Sequence, residues 1–248
     1  MMTMAGWNRG KMALLACFNL LVVSGAQAQV GGAATNVPSL TLTGNIPYGA
    51  TMTVPQVLDE LKVKIRLAIA AKDYQSALNN TMAGLRVSPS DFQLLSSKAI
   101  VLAKLHQYPG AIAAIKDVLA VEPNNPDAVY GLAELLLITN RIDEYRALAT
   151  ARKAQIDAAY DGVLAKYFAV LEAYQKQDAE KFRAVVTKSL AALPSRTGPY
   201  MSGWEFDEVR AVLSQQPESP KKAMLLMFVR VLQGDVGRDE GLMTIRGL

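Results

Sequence analysis

The chain has 248 residues, 51% of them hydrophobic and 19% charged, with a net charge of +4. That balance excludes wholesale disorder and implies a packed body of one or two domains. One histidine (His106) and one cysteine (Cys17) exclude a His/Cys zinc site, an internal disulfide and most histidine-based catalysis.

Other chemistry is equally thin. No GxGxxG or GxxxxGK loop occurs. Asp59-Glu60, Asp143-Glu144 and Asp239-Glu240 are neighbours in sequence. On a helix, adjacent side chains diverge by about 100°, so each pair reads as a solvated face and not as an acid and a base. No catalytic residue, metal or cofactor is expected.

Residues 1–28 read as a secretory signal peptide. Arg9 and Lys11 are their only charges, Met12–Val23 is apolar apart from Asn19, and Ala26-Gln27-Ala28 ends the stretch with a small-x-small pattern. The apolar run is well short of the roughly 20 residues that span a bilayer. Leu14-Leu15-Ala16-Cys17 makes a poor lipidation site, because the apolar run continues past the cysteine. Cleavage is expected after Ala28, giving a periplasmic or secreted protein with no integral membrane segment. The remaining chain has no cysteine and is closer still to neutral. That fits a bacterial periplasm and gives no electrostatic reason to expect nucleic acid.

Residues 29–54 carry no charge and are rich in Gly, Thr and Pro. They predict a flexible or extended arm, with strand-like alternation at Ser39–Thr43 and Thr51–Val54. From Pro55 the character switches: apolar residues recur at spacings of three and four, and prolines punctuate helical stretches.

Tyr74 and Tyr108, Ala77 and Ala111, and Pro89 and Pro123 are each 34 residues apart. This Tyr-x-x-Ala pattern with a closing proline resembles the tetratricopeptide repeat. The resemblance implies an all-α helix-turn-helix repeat solenoid, a superhelix of about four repeats over residues 55–195. Residues 128–157 continue the period with Tyr145 at the helix crossing and no closing proline. Residues 166–195 recover Pro194 but run three residues late, with Phe182 at the crossing. The expected core stripes are Leu61, Ile65 and Ala68; Leu95, Ala99 and Leu102; and Val129, Ala133 and Leu136. Each hairpin buries its apolar flank on the next.

Residues 196–248 are expected to cap the array, with helices over 204–215 and 219–233. Ser219-Pro220 is a helix start, and Lys221–Leu232 is apolar almost all round. That second helix reads as buried against the last repeat or, if exposed, as a partner surface carrying Met224, Leu226 and Phe228.

The family resemblance further implies a concave groove lined by first helices. Its peptide-binding residues would be Lys62, Arg66, Lys104, Tyr130, Glu134, Tyr167, Leu171 and Tyr174. The lysine–asparagine–arginine set with which some family members grip a C-terminal carboxylate is broken here, with Arg66 and Ser97 in the asparagine places. The expected function is a non-catalytic scaffold that binds a peptide or helical segment of another cell-envelope protein. The alternative is a structural subunit or assembly factor of an envelope secretion or export complex. The tyrosines admit a second reading, as space-filling between uneven repeats.

Overall fold

A computed structural model describes residues 52–194, 198–201 and 206–248. The signal peptide, its cleavage after Ala28 and nearly all of the 29–54 arm lie outside the described residues. The chain divides into two compact units, Met1–Glu60 and Leu61–Leu248, with the division inside the first helix.

In the first unit, helix α1 (Val54–Ala70) begins. The Gln56 side-chain oxygen accepts from the Thr53 N–H at 2.8 Å and from its hydroxyl at 3.0 Å. Gln56 reaching back to the Thr53 N–H is one half of a capping box and marks the helix start. Val54 therefore opens a helix, where alternation with Thr51 had suggested a strand end.

The second unit is all-α among the described residues. After α1 come α2 (Tyr74–Val87), α3 (Phe92–Lys104), α4 (Tyr108–Val121), α5 (Pro126–Ile138) and α6 (Ile142–Ala151). Tyr74, Tyr108 and Ile142 open three successive second helices, 34 residues apart. A short α7 (Lys153–Ala158) and a 3-10 turn (Ala159–Gly162) precede α8 (Val163–Lys176) and α9 (Ala179–Ala191). The fold is a helical repeat solenoid, with hairpins joined α2 to α3, α3 to α4 and α4 to α5 in continuous packing.

The period has a backbone cause. Lys72, His106 and Asn140 all adopt left-handed φ near +58°, between first and second helices. At each one the next residue's N–H returns to a carbonyl five residues back: Asp73 to Ala68, Gln107 to Leu102, Arg141 to Leu136. These are Schellman closures, which satisfy the orphan carbonyls of a helix end. His106 is thus a turn residue, exposed, with its ring nitrogen 3.1 Å from the Tyr108 hydroxyl.

The three-residue lag also has a place. Val163 follows Pro126 by 37 residues, and Ala179 follows Ile142 by 37. The extra residues fall in the α7 region, where Tyr160, Asp161 and Gly162 are left-handed in succession. Tyr145 and Phe182, too large for a small-residue crossing, are accommodated by edge contacts: Tyr145 on Phe168 at 6.0 Å and Tyr174 on Phe182 at 5.5 Å.

The expected stripes are buried, except that Ala68 is only half-buried. At the C-terminal end are α10 (Asp207–Ser214), α11 (Pro220–Gln233) and α12 (Arg238–Gly247). Ser219 caps α11 through the Lys222 N–H. Helix α11 packs on α8, α9 and α12. Met224 and Phe228 are fully buried in the core, so they present no partner surface. Helix α12, which sequence periodicity missed, packs on α9 and α11, with Gly241 against Val231.

Candidate functional site

First helices α3, α5 and α8 carry most of the predicted groove residues, and the structure gives them unequal roles. Lys62 of α1 pairs with Asp91 at 2.7 Å, and Asp91 also caps α3 through the Leu94 N–H at 3.1 Å. Arg66 is half-exposed, and Ile100 on α3 is 42% exposed. Tyr130 is half-buried, and its hydroxyl donates to the Gln155 carbonyl on α7 at 3.3 Å.

Two residues are closed off from solvent within the fold. Tyr167 is 1% exposed and Leu171 3% exposed. The Tyr167 hydroxyl donates to Glu134 Oε1 at 2.6 Å. Its ring meets Phe206 edge-on at 5.2 Å and Phe168 at 5.7 Å. For Tyr167, the reading as space-filling between uneven repeats describes its surroundings better than the groove reading does.

The remaining groove residues meet the C-terminal segment of the same chain. Lys104, at the end of α3, reaches Asp207 at 2.8 Å and Glu208 at 3.2 Å. The Tyr174 hydroxyl donates to Gln216 at 2.5 Å. Helix α10 packs against α5, between those two anchors. Phe206, Val209 and Leu213 are buried, and their spacing of three and four places them on one helical face. Phe206, Asp207, Glu208 and Gln216 thus belong to the site, though sequence reading placed them in a cap. The signal was charge complementarity between the acidic start of that helix, Asp207 and Glu208, and Lys104 of the groove.

Electrostatics follows this geometry. Burial pulls the Lys104 ammonium down, but the hydrogen bond it donates to Asp207 and the charges of Glu208 and Asp207 outweigh it and hold the pKa above its ordinary value. Burial raises the Tyr108 phenol, and the negative charges of Glu208 and Glu134 raise it further. Lys221 donates to the Tyr174 and Gln177 carbonyls at 2.6 and 2.8 Å, closing the end of α8, with its ammonium 5.0 Å from the Tyr174 ring centre. Burial lowers its pKa against the opposing charge of Asp178.

Among the described residues, no group of three or more His, Cys, Asp or Glu could hold a metal ion, and no helix is long and apolar enough to cross a membrane.

Residues 102–167 match the tetratricopeptide repeat. The matched stretch runs from the last residues of α3 to the first turns of α8, and so includes α4, the α5/α6 hairpin and the inserted turn. The match supports tetratricopeptide-repeat structure over that stretch. Such repeats generally mediate protein–protein interaction, and their all-helical fold is typically non-catalytic. No curated protein and no solved structure matches the chain.

Proposed function

We propose that this protein is an exported, non-catalytic interaction module of the bacterial cell envelope, and that it takes a peptide or helical segment of another envelope protein along its first-helix face. One observation carries the reading. Two repeat positions differ in chemistry from hairpin to hairpin, and none of their residues is fully buried. They are Lys62, Ser96 and Tyr130, and Arg66, Ile100 and Glu134, each set 34 residues apart. Their neighbours at the core positions stay aliphatic or small: Leu61, Leu95 and Val129; Ile65, Ala99 and Ala133. Packing demands similar residues at stacked positions. The variable positions escape that demand; Lys62, Tyr130 and Glu134 are engaged by Asp91, Gln155 and Tyr167, while Arg66 and Ile100 suit recognition.

The test is a photo-crosslinking residue at position 100 in the native envelope. A discrete crosslinked partner, lost with Arg66→Glu, is expected. Crosslinks no different from those of a probe at exposed Glu144 would sink the reading. Mature protein recovered from the envelope fraction should begin at Gln29.

A second reading is a subunit of a larger envelope assembly. It is favoured by Leu67, 65% exposed at the repeat position where Val101 and Leu135 are buried. A probe at position 67 that captures a partner independently of Arg66→Glu would favour assembly over groove binding.

A further inference from the structure

The segment 206–216, helix α10 with its flanking residues, touches three successive first helices: α3 through Asp207 and Glu208 on Lys104, α5 by packing of α10, and α8 through Phe206 on Tyr167 and Gln216 on Tyr174. Its contacts are of the kinds by which a solenoid grips a foreign helix: an aromatic anchor, paired charges and a polar clasp.

From this we propose that residues 206–216 are an internal ligand of the groove, and that the partner's segment carries the same chemistry. That segment would be an amphipathic helix opening with an aromatic residue followed directly by two carboxylates, with aliphatic residues one and two turns on. Each part is read from a contact. The aromatic residue takes the place of Phe206 against Tyr167. The carboxylates take the places of Asp207 and Glu208 on Lys104. The aliphatic residues take the places of Val209 and Leu213, both buried. A polar group after the helix takes the place of Gln216 on Tyr174. The proposal rests on groove binding as the mode of function and specifies its partner.

A competitor must displace α10, so apparent affinity is the intrinsic affinity reduced by the fraction of molecules with the groove open. The Lys104 contacts are the part of the closure that can be removed at the surface, since Asp207 is exposed and Lys104 half-buried. Charge complementarity of this kind selects partners more than it adds bulk affinity.

The experiment uses the full chain and a labelled synthetic peptide with the sequence of residues 206–216. The Asp207→Lys/Glu208→Lys protein should bind that peptide about tenfold more tightly than the wild type does. A peptide with both carboxylates replaced by lysine should bind neither protein. Adding Lys104→Glu to the double variant should restore closure and remove peptide binding. Hydrogen exchange keeps each outcome decisive. If residues 206–216 lose protection while α3, α5 and α8 keep theirs, the groove is open, and failure of the peptide to bind then overturns the proposal. If residues 206–216 stay as protected as the core in the double variant, the Lys104 closure does not exist and the proposal is equally overturned. No natural partner is needed. A failed peptide beside a partner captured at position 100 would remove only the internal ligand. A bound peptide with no partner captured would remove only the envelope role.

Discussion

The Tyr167 hydroxyl donates a 2.6 Å hydrogen bond to Glu134, joining the first helices of two hairpins whose sequence spacing is out of register. Glu134 lies one repeat after Ile100 and Arg66, on the face expected to meet a partner. Its carboxylate is instead engaged from within the fold. A buried hydroxyl bonded to a charged group is stabilising, and removing it leaves the acceptor under-satisfied. Tyr167→Phe should cost about 2 kcal/mol in a urea titration, with the slope unchanged. Tyr167→Ala should cost about 3–5 kcal/mol, because it also leaves a cavity beside Phe168 and Phe206. Loss of partner binding in Tyr167→Ala would therefore mix folding with recognition, whereas Ile100, 42% exposed, and Arg66, half-exposed, report on recognition alone.

The repeated left-handed turns give a second prediction. Lys72 and Asn140 hold φ of +59° and +58°, a region that costs a residue with a Cβ roughly 1–2 kcal/mol. Both are exposed. Lys72→Gly should relieve that strain and raise stability, offset in part by the greater freedom of glycine in the unfolded chain, for a net gain below about 1 kcal/mol. Gly162→Ala should act in the opposite direction, since φ there is +76° and glycine already occupies it. Thermal unfolding midpoints of the two variants should move apart; movement in the same direction would contradict the turn assignment.

The hairpins were legible in sequence because two signals coincided: a constant offset of 34 between Tyr74 and Tyr108, and aliphatic stripes that had to be buried. The groove was less legible. Leu171 and Tyr167 occupy positions equivalent to Arg66 and Lys62 once the three-residue lag is counted, so repeat logic alone assigned them to an open face. Repeat logic treats each hairpin as equivalent, and the C-terminal segment breaks that equivalence by covering only the later hairpins. The fold-back of Phe206 onto Tyr167 is a contact between residues far apart in sequence, which local periodicity does not encode. Helix α12 was missed for a different reason. Its apolar positions are few, and Gly241 in mid-helix argues against a helix on propensity.

Gly241 supplies a third prediction. A Cβ built there would lie 2.5 Å from Val231 Cγ2. Valine is stiff at χ1, and Val231 is fully buried in α11, so the clash has no easy relief. Alanine favours a helix over glycine by about 1 kcal/mol. Overpacking of this kind costs about 1–3 kcal/mol, so Gly241→Ala should destabilise despite the better propensity. A matched change at Gly247, where a Cβ would meet nothing, should be neutral or mildly stabilising. Urea midpoints for the pair separate packing from propensity.

Alkaline pH supplies the fourth. Burial, with smaller contributions from the charges of Glu172 and Asp157, pushes the Tyr145 phenol up from 10.0 to about 12. Folding thus favours the protonated form. A group whose pKa is raised on folding contributes its stability fully below the unfolded pKa, and that contribution is lost as pH rises through the folded value. For Tyr145 the window runs from 10.0 to about 12. Lys104, also raised, loses its contribution in the same direction. Stability measured by urea between pH 9 and pH 11.5 should therefore fall steadily above about pH 10. Tyr145→Phe keeps the ring against Phe168 and removes the ionisable oxygen. Its stability should decline less steeply over the same range, and the absorbance change of tyrosinate formation should lose one component titrating near pH 12. An unchanged slope in Tyr145→Phe would mean that the phenol at the third hairpin's crossing is not shielded from water as its packing requires.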